Sequence, residues 1–164
     1  MSEIPVFKFA LMDRVKDDKR FLPKQAESKA TGYDVRACME DKKPLTIRPG
    51  QYVKIPLGVR AFVPEGYWYE LKPRSSSFAK KHLHALYGTI DETYALELVF
   101  AAQYIPDLNL MTKDLVIEYG EAIGQIIPIK RQQMIVEEIS NEELEKLYKN
   151  RTTDRVGGFG STGK

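Results

Sequence analysis

The sequence predicts an all-β fold, a jelly-roll-like barrel or sandwich with one short helix and a flexible C-terminal arm. Three observations carry that expectation. Short runs rich in β-branched and aromatic residues recur along most of the chain. Proline- and glycine-bearing turns separate them at intervals of about 8–12 residues, the spacing of a sandwich or barrel rather than of alternating strands and helices. Only one stretch near the C-terminus carries both the cap and the face of a helix.

In chain order, Val6–Met12 reads as a first strand and the polar Asp13–Ser28 as a loop. Ala30–Cys38 holds a glycine, an aspartate and a short β-like run. Leu45–Ile47 leads into the turn Arg48-Pro49-Gly50, and Gln51–Ile55 is a strand closed by Pro56-Leu57-Gly58. Val59–Val63 and Tyr67–Leu71 are strands around Pro64-Glu65-Gly66. Ser75–Lys81 is a polar connection with room for a helical turn. Leu83–Tyr87 then feeds a hairpin, Gly88–Tyr94, that runs into the apolar strand Leu96–Ala102. Asp114–Tyr119 and Ile123–Ile129 are two more strands; Pro128 places the end of the second at a strand terminus or sheet edge, since proline cannot donate to a ladder. Gln133–Ile139 reads as a last strand. Over Asn141–Asn150, Ser140 and Glu143 form an S-x-x-E capping box, and Leu144, Leu147 and Tyr148 share one face.

The 164 residues suffice for one domain with its own core, taken as 1–150, followed by an arm, 151–164. Twenty-five basic against 23 acidic side chains give a net charge of +2, too balanced for a nucleic-acid or membrane surface. The single cysteine, Cys38, excludes an internal disulfide and a cysteine-based metal cluster. The first residues lack a signal-peptide pattern, and no apolar run approaches the roughly 20 residues of a membrane helix. A cytoplasmic protein is expected, in the host's cytoplasm if the source is viral.

Several pieces carry chemistry. Asp91 follows two β-favouring residues and precedes Tyr94 by three positions, which suits either an ordinary turn acid or a fixed carboxylate beside a flat apolar wall that primes a water. Arg74, Ser75 and Ser76 suit either a polar turn or a forked cation with hydroxyls of the kind that hold phosphate oxygens. Asp34 suits either a hydrated Mg²⁺ or a turn. His82 and His84 lack the Cys or Glu that would complete a zinc set and read as structural. Four of the 11 glycines fall in the final 14-residue arm around Phe159. Such a segment suits either a disordered terminus or an arm whose amides wrap phosphates.

In order and wording, five of these pieces resemble the five motifs of the trimeric dUTPase (deoxyuridine triphosphatase) family. They are ATGYD at Ala30–Asp34, PRSSS at Pro73–Ser77, GTIDETY at Gly88–Tyr94, GEAIGQ at Gly120–Gln125 and GGFGSTG at Gly157–Gly163. The resemblance implies a jelly-roll homotrimer that hydrolyses dUTP to dUMP and pyrophosphate with Mg²⁺, each site drawing its motifs from three chains. It implies that Asp91 orients the attacking water and Tyr94 packs under the deoxyribose. The backbone of Gly88, Thr89 and Ile90 would read the uracil, and Arg74, Ser75, Ser76 and Gln125 would hold phosphates. Asp34 would meet the metal through water. Phe159 would stack over the base while Gly160, Ser161 and Thr162 clasp the phosphates, aided by Arg155, with Arg151 as the alternative arginine.

The chain departs from the family pattern in places. Thr93 stands where an acid is common, Ala95-Leu96 where Arg-Gly is usual, Ala122 where Arg is usual, and Asp154 at the customary arginine position of the last motif. Two other readings compete: a nucleotide-binding regulator of a partner protein, and a dCTP deaminase relative suggested by Leu96-Glu97-Leu98.

Overall fold

A computed structural model of the chain describes residues 3–151. The chain divides into two compact units, Met1–Arg131 and Gln132–Lys164. The first unit contains the strands β1 (Lys8–Leu11), β2 (Lys24–Gln25), β3 (Tyr33–Arg36), β4 (Leu45–Ile47), β5 (Tyr52–Pro56) and β6 (Val59–Phe62). They are followed by β7 (Tyr67–Pro73), the short helix α1 (Ser75–Ala79), β8 (Leu83–Ala85), β9 (Gly88–Ile90), β10 (Val99–Tyr104), β11 (Leu115–Ile117) and β12 (Ala122–Lys130). The expected all-β architecture is what the chain adopts.

A five-stranded sheet in the order β2-β3-β12-β7-β9 faces a three-stranded sheet, β5-β10-β8; two-stranded pairs β1-β6 and β11-β4 complete the unit. Alternation decides which residues face inward. Val53 and Ile55 of β5, Phe100, Ala102 and Tyr104 of β10, and Val35, Tyr69, Leu71, Ile123 and Ile126 of the larger sheet meet in one buried core. A smaller cluster of Val15, Phe21 and Cys38 lies beside it. The turns between strands are built as their composition requires. Gln51 donates to the Arg48 carbonyl and Tyr67 to the Pro64 carbonyl, with Gly50 (φ +80°) and Gly66 (φ +81°) at the third position. A positive φ there defines a type II turn, which glycine adopts without steric cost.

Three expectations are corrected. Asp13–Ser28 is not a plain loop: 3₁₀ turns form over Asp13–Val15 and Lys19–Phe21, and β2 follows. Burial of Val15 and Phe21 anchors these turns, a packing effect that the polar composition hides. The Gly88–Tyr94 segment does not fold back as a hairpin on the next strand. β9 pairs with β7 and β10 pairs with β5 and β8, so the chain crosses between sheets here. Pro128 matches its expected place, since β12 is paired on the β7 side there but β3 reaches only to Ile126.

In the second unit, Gln133–Ile139 is not a strand. Met134, Ile135 and Val136 are consecutive and more than four-fifths exposed, and no described segment supplies a ladder. Without a partner, strand-like composition fixes nothing. The helix α2 (Asn141–Lys149) has the expected capping box: Glu143 N–H donates to Ser140 Oγ at 3.2 Å, and Ser140 N–H to the Glu143 carboxylate at 3.0 Å. Among the described residues no helix is long and apolar enough to cross a membrane.

Candidate active site

The larger sheet brings three of the singled-out segments together. Gln125 of β12 stands opposite Asp34 on one side and Lys72 on the other. Side chains directly opposite in antiparallel strands share a face within about 5 Å, so these three form a row. Arg74 follows β7 immediately. Its Nε lies 3.3 Å from Asp34 Oδ1, and its backbone N–H donates to the Ile123 carbonyl at 3.2 Å. Gln125 Nε2 donates to the Pro73 carbonyl at 3.2 Å. A cation, a carboxylate and an amide are thus held by neighbouring strands.

Two residues that sequence reasoning passed over support this cage. Gly32 lies against Gln125: a Cβ built there would fall 2.0 Å from Gln125 Oε1. Ser77, the third serine of its run, is fully buried and donates to the Ile123 carbonyl at 2.7 Å, tying α1 to β12. Ser75 is exposed and Ser76 half-buried, so both hydroxyls sit at the rim. Where arginine is usual, the Ala122 carbonyl lies 3.4 Å from Arg74 Nη1. A run of three serines next to an arginine hinted at Ser77, but only the fold separates the buried hydroxyl from the two at the rim.

Asp91 and Tyr94 are elsewhere. Among the described residues β9 is the last strand of the sheet, and no strand pairs with its outer edge. Its unpaired backbone N–H and C=O groups offer fixed donors and acceptors to a planar ligand. Asp91 continues from Ile90 and is exposed. Its backbone carbonyl accepts from Tyr94 N–H at 3.0 Å, closing a turn, and the Tyr94 hydroxyl donates to the Glu97 carbonyl at 3.0 Å. The Tyr94 ring packs against the core. Glu92 anchors the turn from below, accepting from Gly66 N–H at 3.1 Å and from Arg131 Nη1 at 2.7 Å.

Three strand spacings separate Asp34 from β9, and Asp91 lies about four residues further along. At ~4.8 Å per spacing and ~3.4 Å per residue, Asp91 is about 20 Å from Asp34 within one chain. One phosphate cannot be reached from both places.

Glu97 has a structural job. It accepts from both terminal nitrogens of Arg14 and, at 2.8 Å, from Gly58 N–H, while Arg14 also donates to the Cys38 carbonyl at 3.0 Å. Burial pushes the Cys38 thiol above its ordinary 9.0, against the opposing pull of Arg14. Arg155, Phe159, Gly160, Ser161 and Thr162 lie outside the described residues. Arg151 lies within them, its guanidinium 5.6 Å from the centre of the Tyr148 ring.

A family model for dUTPase matches residues 18–163. The chain belongs to the dUTPase family. It is 33% identical over 144 residues to the deoxyuridine 5′-triphosphate nucleotidohydrolase of Leptospira interrogans, covering 87% of this chain and 90% of that one. To the enzyme of the same name from Hydrogenobaculum it is 34% identical over 158 residues, 93% and 96% of the two chains. The structure of the Staphylococcus bacteriophage 80alpha dUTPase with dUPNHPP superposes with a TM-score of 0.70 at 20% identity, covering 98% of each chain. The fold is therefore the dUTPase jelly roll, and this dUTPase is an enzyme of dUTP hydrolysis.

Proposed function

We propose that this dUTPase hydrolyses dUTP to dUMP and pyrophosphate at sites shared between the copies of a homotrimer. The carrying observation is the division of the chain into two half-sites, the Asp34–Arg74–Gln125 row and the exposed Asp91 beyond the open edge of β9. Neither suffices alone. A neighbouring copy that brings its Asp91 and Tyr94 to the first copy's row completes a site, and the C-terminal arm, 151–164, closes over it with Phe159 on the base.

In that site the open edge of β9, Gly88–Ile90, reads the uracil through main-chain atoms. Tyr94 forms the sugar wall. Arg74, Ser75, Ser76 and Gln125, with Arg155, Gly160, Ser161 and Thr162 from the arm, neutralise and align the triphosphate, which is the larger part of phosphoryl-transfer catalysis. Asp91 accepts a proton from the attacking water, and the bond between the α-phosphorus and the oxygen bridging to the β-phosphorus breaks, so the electron pair leaves on pyrophosphate.

Among the described residues no three His, Cys, Asp or Glu side chains converge on a metal-sized space. A lone carboxylate beside a phosphate-binding arginine fits Mg²⁺ carried on the triphosphate and held by Asp34 through water. When bound, the ion supplies further charge neutralisation on the phosphate oxygens.

The test is a hydrolysis panel of dUTP, dTTP, dCTP and UTP with Mg²⁺. Release of pyrophosphate from dUTP alone is expected, and none from dUTP refutes the reading. Asp91→Asn abolishes turnover while sparing nucleotide binding. Refolding Asp91→Asn together with Arg74→Ala restores part of the activity, because some mixed sites receive both intact halves; no recovery would place all groups in one chain.

A further inference from the structure

The charge around Asp34 continues past the cage, on the side away from Gln125. Strand β2 places Lys24 directly opposite Asp34. Lys24 is the nearest cross-strand counter-ion for that carboxylate, yet the ion pair formed is with Arg74. Among the described residues Lys24 has no acidic partner. Arg36 lies two residues beyond Asp34 and so on the same face. Its Nη1 donates to the Gly120 carbonyl at 2.9 Å, and it too forms no ion pair.

Lys19 and Arg20 enter from the 3₁₀ turn. Arg20 is fixed in place: its Nε lies 2.8 Å from the Asp18 carboxylate, and its guanidinium sits 5.0 and 5.2 Å from the ring centres of Phe21 and Tyr119. Lys19, Arg20, Lys24, Arg36 and Asp34 line one cavity of about 620 Å³. Four cations thus line a cavity whose one carboxylate is already engaged by a fifth; Asp18 balances Arg20, and Lys19, Lys24 and Arg36 have no counter-ion among the described residues. Like charges gathered this closely oppose folding, and an anion relieves them. Among the described residues no aromatic ring lines the cavity, so a base finds no stacking platform here. A compact polyanion without a base fits the bay better than a nucleotide.

We infer that this bay is an inorganic polyanion subsite that takes up pyrophosphate as it leaves the triphosphate cage. The inference rests on the dUTP-hydrolysis reading above and adds to it a path for the leaving group. The row Lys24–Asp34–Gln125 links bay and cage, and the Arg74 guanidinium lies at Asp34, so pyrophosphate passes from that guanidinium to Lys24 on the adjoining strand. Lys19 and Lys24 hold the departing product and are not needed to bind the substrate.

The test compares the full chain with the Lys19→Ser/Lys24→Ser variant in two measurements: calorimetric titration with sodium pyrophosphate, and pyrophosphate inhibition of dUTP turnover. Exposed cation–anion pairs contribute about 0.7 kcal/mol each, so the double variant loses roughly tenfold in pyrophosphate affinity. Its kcat/KM for dUTP stays within about twofold, since the cage residues are untouched. A Lys19→Arg/Lys24→Arg variant regains most of the binding. Wild-type pyrophosphate affinity in the serine variant overturns the inference. So does a rise in KM for dUTP that matches the loss of inhibition, which would assign the lysines to the substrate, or an orthophosphate affinity equal to that for pyrophosphate. The titration needs no turnover. A chain that binds pyrophosphate through Lys19 and Lys24 but leaves dUTP intact would sink the hydrolysis reading without touching the bay.

Discussion

Gly32→Ala tests how the phosphate cage is held. The added methyl would sit 2.0 Å from Gln125 Oε1, 2.9 Å from its Cδ and 3.1 Å from its Cβ. Ordinary carbon–oxygen contact is roughly 3.4 Å, so the amide must move by more than 1 Å. Because Gly32 precedes β3 and Gln125 lies on β12, the cheaper response is rotation of the glutamine rather than separation of two paired strands. Rotation breaks the 3.2 Å bond from Gln125 Nε2 to the Pro73 carbonyl. Losing one half-buried hydrogen bond costs about 1 kcal/mol, a fall in Tm of about 3 °C for a domain of this size. On the proposed role of Gln125 in holding a phosphate the catalytic cost is larger, since loss of one such donor lowers kcat by about 10²-fold. Thermal melts and steady-state dUTP hydrolysis read the two effects separately. Gln125→Ala should reproduce the loss of activity, and the double variant should be no worse than the more damaged single one, since both act through the same amide. An active Gly32→Ala protein, or losses that multiply in the double variant, would refute the reasoning.

Further outcomes follow from the same geometry. Glu97→Ala leaves Arg14, whose side chain is only 20% exposed, without its counter-ion and leaves the Gly58 N–H unpaired; it should cost about 3 kcal/mol and lower Tm by roughly 10 °C in a calorimetric scan. Glu97→Gln should cost less, because its oxygen still accepts from Gly58. The raised Cys38 thiol makes its contribution to stability full below pH 9 and lost as pH rises from there toward the folded value, because the unfolded chain ionises first. Urea melts across pH 8–11 should show that decline, and Cys38→Ala should flatten its first part. Deleting Val156–Lys164 should cripple turnover yet leave the melt of the β fold unchanged; a fully active truncation would contradict the arm's role.

Much of the fold was legible because its punctuation is local. Arg48-Pro49-Gly50 and Pro64-Glu65-Gly66 declare their turns within four residues, and the alternation of Tyr52–Pro56 declares its buried face. The failures are the non-local ones. Nothing near Gln133–Ile139 says whether a partner strand will lie beside it. Nothing near Phe21 says that a polar stretch will bury its one phenylalanine. The crossing from β8 to β9 depends on β7 and β10 competing for neighbours, which no short window contains. The site follows the same rule. Asp34, Arg74 and Gln125 were recognisable as types, but the contact of Gly32 with Gln125 spans 93 positions. Ser77 separates from its neighbours only once β12 supplies a carbonyl.

The unpaired border of β9 has a consequence for how such an enzyme keeps its selectivity. If the nucleobase is recognised by peptide groups, exchanging the side chains of Thr89 or Ile90 leaves the recognition code in place, because every amino acid but proline supplies the same amide and carbonyl. Discrimination is then buffered against most single-codon changes, and what rewrites it is a change in chain path: an inserted residue, a lost one, or a Thr89→Pro replacement that deletes a donor outright.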